Sequence, residues 1–328
     1  MSGRQEENDC KGKGMGLFDF LKNLFREAPV KKEYISRFTV NDLVQRTGLN
    51  YLEIRALEPV YKTFPIPKRS GGQRTILRKL LARLKAHPNV TGFERRHSIV
   101  TNANVHVGAE VVIRLDIKDF FGRTSAGRVL DFFRSIGWNQ EAAELVTKLT
   151  TNNNHLPQGA PTSPRLANLV NYLMDVRLAR LAEKIGAVYT RYADDITFSI
   201  PKASTQTSGV FSAQNPKTLE KLPVAKTAEN YSRYAVALAI RTTKLILADY
   251  GYKLHHKRKL HIRRNHQRQM VTGLVVNEKV NLPRLTRRRL RAVEHHLATS
   301  RPASLTPVQM AGWQALRNMI QTQAESSH

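Results

Sequence analysis

The sequence predicts an α+β fold, and three observations predict it. The stretch "VGAEVVIRLDIKDFF", residues 107–121, holds a β-branched strand with Val111, Ile113 and Leu115 on one face and Asp116 leaving on the other. The stretch "YTRYADDITFS", residues 189–199, reads as two short strands that meet at Ala193 and Asp194. Helical periodicity fills about 125–150 and 164–184 between them, and further helices follow.

Composition narrows the partners. With 53 Lys+Arg against 26 Asp+Glu the formal charge is +27, which favours a polyanion, nucleic acid before an anionic membrane surface. The chain has 328 residues, enough for two or three packed lobes, because single cores rarely grow beyond about 250–300 residues. Cys10 is the only cysteine, which excludes an intrachain disulfide and a cysteine-based zinc site. No apolar run approaches the roughly 20 residues that span a bilayer, and "MSGRQEENDCKGKG" lacks the apolar core of a signal peptide. The expected location is the cytoplasm, with no membrane partner.

Along the chain, a polar extension over 1–30 contains one short amphipathic helix, "GLFDFLKNLFREA". In "TVNDLVQRTGLNYLEIRAL", residues 39–57, Thr39 with Asp42 and Asn50 with Glu53 mark two helix starts around a Thr-Gly turn. That outline is a helix-turn-helix, which serves packing more often than DNA reading. "YKTFPIPKRSGGQRTIL", residues 61–77, reads as a β-hairpin with Ser70-Gly71-Gly72 as its turn and Lys68, Arg69 and Arg74 near the tip. Residues 201–228, rich in Ser, Thr, Ala, Pro and Lys, read as an inserted loop, suited to docking a protein partner or a DNA product. A helix is expected at about 229–250. Beyond it lie the basic run "KLHHKRKLHIRRNHQR" and two C-terminal helices. On the first of these, Arg284, Arg288 and Arg291 share one face, opposite Leu290, Val293 and Leu297. Such a cationic stripe tracks phosphate without reading sequence. Thr306, Pro307 and Gln309 mark the start of the second helix, and Trp313 is expected in the core.

The acidic residues carry the chemistry. If the strand ending at Asp116 neighbours the hairpin bearing Asp194 and Asp195, three carboxylates converge on one sheet edge. That cluster requires a counter-charge, and Mg²⁺ takes carboxylate oxygens while keeping waters for substrate phosphates. Two such ions serve an in-line phosphoryl displacement. A lone Asp-Asp pair is otherwise a solvated turn.

These residues also carry a resemblance. "IPKRSGGQRTI", "RLDIKDFF", "LPQGAPTSPRLANL" and "YADD" resemble, in order, the sequence blocks of reverse transcriptases over about 61–275. "NANVH", residues 102–106, "VTGL", residues 271–274, and "MAGWQAL" resemble blocks of the bacterial retron reverse transcriptases. The resemblance implies a right-hand polymerase: N-terminal helices and fingers over 31–110, a palm with remaining fingers elements over 111–275, and a helical thumb over 276–328. It makes Asp116, Asp194 and Asp195 the catalytic ligands of two Mg²⁺ ions, with the Ile117 carbonyl also facing a metal. Phe121 matches the aromatic that excludes a ribose 2′-hydroxyl. Adjacent Phe120 and Phe121 point opposite ways on an extended chain, so only one can serve and the other belongs to the core.

In the same resemblance Gln158 lies beside the incoming dNTP, and Lys68 and Arg74 touch its triphosphate. A basic residue among Lys257, Arg258 and Lys259 protonates pyrophosphate. Arg258 is nearest the expected register and Lys257 is the better acid, so the choice stays open. Asn102, His106, Val271, Thr272 and Gly273 are implied in recognising a structured noncoding RNA, although a lone histidine is more often a structural residue. The implied partners are that cognate RNA, its branched RNA–DNA product (multicopy single-stranded DNA, msDNA), a separately encoded effector protein in antiphage defence, and a host ribonuclease H. A group II intron or diversity-generating reverse transcriptase is the nearer alternative. "NANVH", "VTG" and the short stretch after residue 320 count against it. A non-catalytic regulator using residues 39–57 is the more distant one.

Overall fold

The computed structural model describes residues 36–56, 72–202, 228–255 and 260–325. Two short helices open it, α1 (Val40–Thr47) and α2 (Tyr51–Ala56). The backbone N–H of Thr39 donates to the Asp42 carboxylate at 2.7 Å, and that of Asn50 donates to Glu53 at 3.2 Å. α1 stops at Gly48, whose φ of +68° is left-handed, a conformation that costs glycine nothing. Both expected helix starts and the turn between them are present.

The expected hairpin over 61–77 is corrected. Its second arm is α3 (Gly72–Lys79), and its first arm, with Lys68, lies outside the described residues. Gln73, Arg74, Leu77, Arg78 and Lys79 are good helix formers. Ile76 and Leu80, four residues apart on one face, are both buried, and that helical spacing outweighs the β-like "RTIL".

The central sheet has the order β2-β3-β1-β4 and is antiparallel throughout: β1 (Val111–Asp116), β2 (Val188–Tyr192), β3 (Asp195–Ile200) and β4 (His261–Arg264). Between β1 and β2 run α5 (Ala126–Ser135), α6 (Gln140–Thr150), α7 (Ser163–Val170) and α8 (Tyr172–Lys184), following α4 (Ile99–Asn104) ahead of β1. Each helical tract expected here is thus two helices. The first tract breaks at Gly137, with φ +100°, where the chain must turn left-handed. Residues 203–227 of the inserted loop lie outside the described residues, and α9 (Ala228–Asp249) follows at the expected place.

The two sheet faces differ. Val111, Ile113, Leu115, Ile196, Phe198 and Tyr189 are sealed against the helices, with Met174, Leu178 and Leu181 of α8 equally buried. The second face carries Val112, Arg114 and Asp116 opposite Ser199, Thr197 and Asp195. Its Val112 end is covered by a core containing Val100 and Ala103 of α4 and Val271 and Leu274 of the hairpin β5 (Met270–Val271) and β6 (Leu274–Val275). The same core takes in Leu290, Val293, Met310 and Ile320 of α10 (Arg284–Ala298) and α11 (Pro307–Glu325). Trp313 packs against this cluster, as expected of a core residue. The aspartate end of the face is left half-buried.

Candidate active site

Register decides the site's geometry. Asp116 and Asp195 are direct Cα partners across β1 and β3, and residues opposite one another in a ladder share a face. Asp194 sits in the turn immediately before β3, where its carbonyl accepts the Ile117 N–H at 2.9 Å. On the other side the Asp116 carbonyl accepts the His255 N–H at 2.7 Å. The end of β1 is thus clamped between the aspartate turn and the segment leading to β4.

The turn is unusual in its backbone. Ala193 has φ +58°, which an L-residue with a Cβ rarely adopts. Its neighbour in space is Gly92: a Cβ built there would lie 2.6 Å from the Ala193 nitrogen, so only glycine permits that approach. Beneath the turn lies Arg191, fully buried with Asp175 of α8. Its Nε and Nη2 donate to the two Asp175 oxygens, each at 2.7 Å, while Nη1 donates to the Ala193 carbonyl at 2.9 Å and to Asn168 at 3.2 Å. Tyr189 also donates to Asp175, at 2.7 Å. Burial opposes the Arg191 charge, but the Asp175 carboxylate outweighs it and holds the guanidinium's pKa above its usual value. Burial first and Asp175 second push the Tyr189 phenol upward, so it remains a donor.

The site carries a cation of its own. Arg114, two residues before Asp116 on the same face, brings Nη2 to 3.7 Å from the Asp195 carboxylate. Among the described residues no three His, Cys, Asp or Glu side chains are gathered as a ready metal site. The donor set nevertheless fits Mg²⁺: hard carboxylate oxygens from paired strand positions and the adjoining turn, beside a half-open face.

The nucleotide-side residues are distributed as follows. Phe120 is buried and Phe121 half-buried, so Phe120 is the core member of the pair. Thr124 locks their turn, donating its hydroxyl to the Phe120 carbonyl at 2.9 Å. Gln158 is exposed, and Gly159 has φ +87° with open space where a Cβ would stand. Arg74 is half-buried on α3 rather than at a hairpin tip, while Gln73 beside it donates to the Leu149 carbonyl at 2.8 Å. Lys257, Arg258 and Lys259 lie outside the described residues. A cleft of about 870 Å³ opens next to the turn, walled by Arg78, His87, Arg95, Arg165 and Phe93; the Phe93 ring is 6.2 Å from that of Tyr192.

The two blocks implied in RNA recognition meet, but inside the protein. Asn102 is 1% exposed and accepts from the Thr91 hydroxyl at 2.6 Å. His106, also 1% exposed, bridges Ser199 at 2.7 Å and Thr190 at 2.8 Å, and burial pushes its pKa down to about 3. Val271 is buried, and the Thr272 hydroxyl donates to the Ile99 carbonyl at 2.8 Å. The Asn102, His106 and Val271 side chains implied in RNA recognition are thus spent inside the fold: Asn102 is held by Thr91, His106 by Ser199 and Thr190 of the sheet, and the β5–β6 turn is bonded to α4 through Thr272. Thr272 and Gly273 have φ +46° and +84°, the signature of a tight type I′ turn, and Gly273 is exposed. Arg284, Arg288 and Arg291 are exposed on α10, opposite buried Leu290 and Val293. α2 offers a poor DNA reader: six residues long, it spends Tyr51 on a 3.0 Å bond to Glu141.

Comparison with known proteins fits this geometry. Residues 66–222, which hold all three aspartates, match the family described as reverse transcriptase (RNA-dependent DNA polymerase). The chain is 34% identical over 264 residues to the Retron Mx162 reverse transcriptase of Myxococcus xanthus, covering 73% of this chain and 50% of that protein. It is 33% identical over 242 residues to the Retron Ec86 reverse transcriptase of Escherichia coli, covering 74% and 65%. The chain is similar to the retron reverse transcriptases. A third member, the Retron Mx65 reverse transcriptase of Myxococcus xanthus, is 32% identical over 292 residues, covering 79% of this chain and 61% of the other. The chain thus spans between half and about two thirds of the length of these relatives. A truncated apo telomerase from Candida tropicalis overlays 56% of the chain and 38% of its own at 13% identity and a TM-score of 0.35, too loose to carry an argument. Mixed helices over an antiparallel sheet agree with the right-hand polymerase fold of the reverse transcriptase family. Among the described residues no helix is long and apolar enough to cross a membrane.

Proposed function

We propose that the chain is an RNA-directed DNA polymerase of retron type, copying part of a cognate structured noncoding RNA into DNA. The observation that carries this reading is the Asp116–Asp195 register pair beside the Ala193–Asp194 turn, inside the reverse transcriptase match. In this reading residues 31–110 are N-terminal helices and fingers, 111–275 the palm, and 276–328 the thumb.

Asp116, Asp194 and Asp195, with the Ile117 carbonyl, would hold Mg²⁺, in two ions; when bound, Mg²⁺ supplies the positive charge that acidifies the attacking hydroxyl and offsets charge on the phosphates. The new bond joins the primer oxygen to the α-phosphorus of a dNTP, and the bond to the β-phosphate oxygen breaks, releasing pyrophosphate. Lys257 suits donation of a proton to that leaving group, because a lysine ammonium is far more acidic than a guanidinium. Lys68 and Arg74 hold the triphosphate, Gln158 and the open Gly159 backbone admit the base and sugar, and Phe121 blocks a 2′-hydroxyl. Arg284, Arg288 and Arg291 neutralise phosphates of the bound hybrid. A buried His106 acts on RNA only by holding the scaffold.

The finer reading is that the first nucleotide joins the 2′-hydroxyl of a guanosine, leaving a branched msDNA trimmed by host ribonuclease H. A separately encoded effector and antiphage defence in the cytoplasm complete it. The test incubates the purified protein with RNA transcribed from its flanking DNA, Mg²⁺ and labelled dNTPs. The expected product is DNA that keeps one branching ribonucleotide after ribonuclease digestion. Unbranched DNA refutes the retron mode, and no incorporation refutes the polymerase.

A further inference from the structure

The aspartates need a fixed turn, and the turn contains a residue ill-suited to its own backbone. Ala193 at φ +58° pays for a left-handed conformation that nothing in its side chain rewards. What holds it is Arg191. We propose that Arg191 is a positioning residue for nucleotide addition: oriented by Asp175, it grips the Ala193 carbonyl and thereby fixes the turn that aims Asp194 and Asp195. This rests on the polymerase reading above.

The geometry is specific. A guanidinium has five N–H donors in a rigid fork. Asp175 takes two of them in a bidentate pair that leaves Nη1 pointing at the Ala193 carbonyl, 2.9 Å away. The guanidinium carbon also stands 5.3 Å from the centre of the Phe120 ring, beside the proposed sugar gate. Asn168, the second acceptor of Nη1, donates to the Gly92 carbonyl at 2.7 Å, on the loop that presses on Ala193. One buried cation thus links the aspartate turn, the Phe120–Phe121 turn and the Gly92 loop.

Stability alone does not explain this pair. Both side chains are 0% exposed, and a buried ion pair is commonly no better for stability than apolar residues of like volume. An apolar pair would fill the space but leave the Ala193 carbonyl unheld. That difference separates positioning from packing.

The experiment compares wild type, Asp195→Ala, Arg191→Lys and the triple variant Arg191→Met/Asp175→Leu/Tyr189→Phe, which removes the pair without stranding a charge. Single-nucleotide addition gives kcat and KM for dNTP, melting reports folding, and hydrogen exchange is followed at the Ile117 amide, bonded to the Asp194 carbonyl at 2.9 Å. The triple variant is expected to melt near wild type and keep its KM. Its kcat should fall on the order of 100-fold, the scale of a misplaced reacting group, and Ile117 should exchange faster. Arg191→Lys, whose ammonium keeps the charge but lacks the fork, should lose part of kcat in the same pattern. If the triple variant does not fold, Arg191→Lys decides alone. A folded variant with wild-type kcat and wild-type exchange overturns the positioning role while polymerisation stands. A wild type that adds nothing, like Asp195→Ala, fails the polymerase reading itself.

Discussion

Asp116 and Asp195 stand opposite each other across β1 and β3, although 79 positions separate them in sequence. Chain distance is cancelled by an antiparallel ladder whose register runs from Val111–Ile200 to Asp116–Asp195. A one-residue slip would send one carboxylate to the opposite face. The apolar residues of the sealed face, Ile113 and Leu115 against Phe198 and Ile196, therefore fix the chemistry of the other face by fixing the register.

Gly92→Ala tests how tightly the turn is packed. The added Cβ would lie 2.6 Å from the Ala193 nitrogen and 3.0 Å from two Tyr192 backbone atoms, none of which can rotate away. The variant should lose about 1–3 kcal/mol of stability, as overpacked sites do. Its kcat should fall more than its KM rises. Chemical denaturation and steady-state kinetics check both.

His106 gives a pH signature. Its pKa falls from the ordinary 6.5 to about 3 on burial, so between those values the unfolded chain binds the proton and the folded chain does not. Stability from this group is complete above about pH 6.5 and is lost as pH falls towards 3. Between pH 6.5 and 5 the wild type should lose about 1–2 kcal/mol more than His106→Gln, whatever their absolute stabilities. Parallel urea curves at the two pH values measure the difference, and equal losses would refute it.

Much of this was legible in the sequence because it lies in local pattern. Alternation around Asp116 and the YADD hairpin, the Thr39 and Asn50 caps and the split face of α10 each depend on neighbours a few residues away. The hairpin expected at 61–77 failed because "RTIL" is ambiguous: Ile76 and Leu80 pack as a helical pair only once the rest of the core is present. The structural alternative for His106 was legible as a generality, but its partners and that of Asn102, namely Thr190, Ser199 and Thr91, were not, because they come from elsewhere in the fold. Arg191 and Asp175 were missed, yet each left a trace. Arg191 alternates with buried Tyr189 on a strand, and Asp175 follows Met174 on the apolar side of a helix. A cation and an acid each breaking an apolar pattern are a signal that they pair.

Phe121→Ala tests the proposed sugar gate. Phe121 is half-buried while Phe120 belongs to the core, so truncation at 121 should open space without dismantling the turn. Discrimination against ribonucleotides should weaken at least about 10-fold, the scale of a lost steric contact, measured as the ratio of kcat/KM for dNTP and rNTP. Phe120→Ala should instead lower melting temperature.

Replacing Arg284, Arg288 and Arg291 together with alanine should weaken RNA binding and flatten its salt dependence. Each phosphate contact contributes about 0.7–0.9 to the slope of log K against log salt, so the slope should drop by roughly 2–3. The loss should be similar for unrelated RNAs of equal length, because phosphate contacts carry no sequence. Filter binding across a salt series gives both numbers.

The most direct measurement is incorporation of a labelled dNTP on the flanking-locus RNA by wild type, Asp116→Asn and Asp195→Asn, with folding and RNA binding checked for each. Asparagine keeps the shape and removes the charge, so both variants should fold, bind RNA and lose incorporation by at least about 1,000-fold. A folded Asp116→Asn protein that still extends DNA at near the wild-type rate would contradict the account.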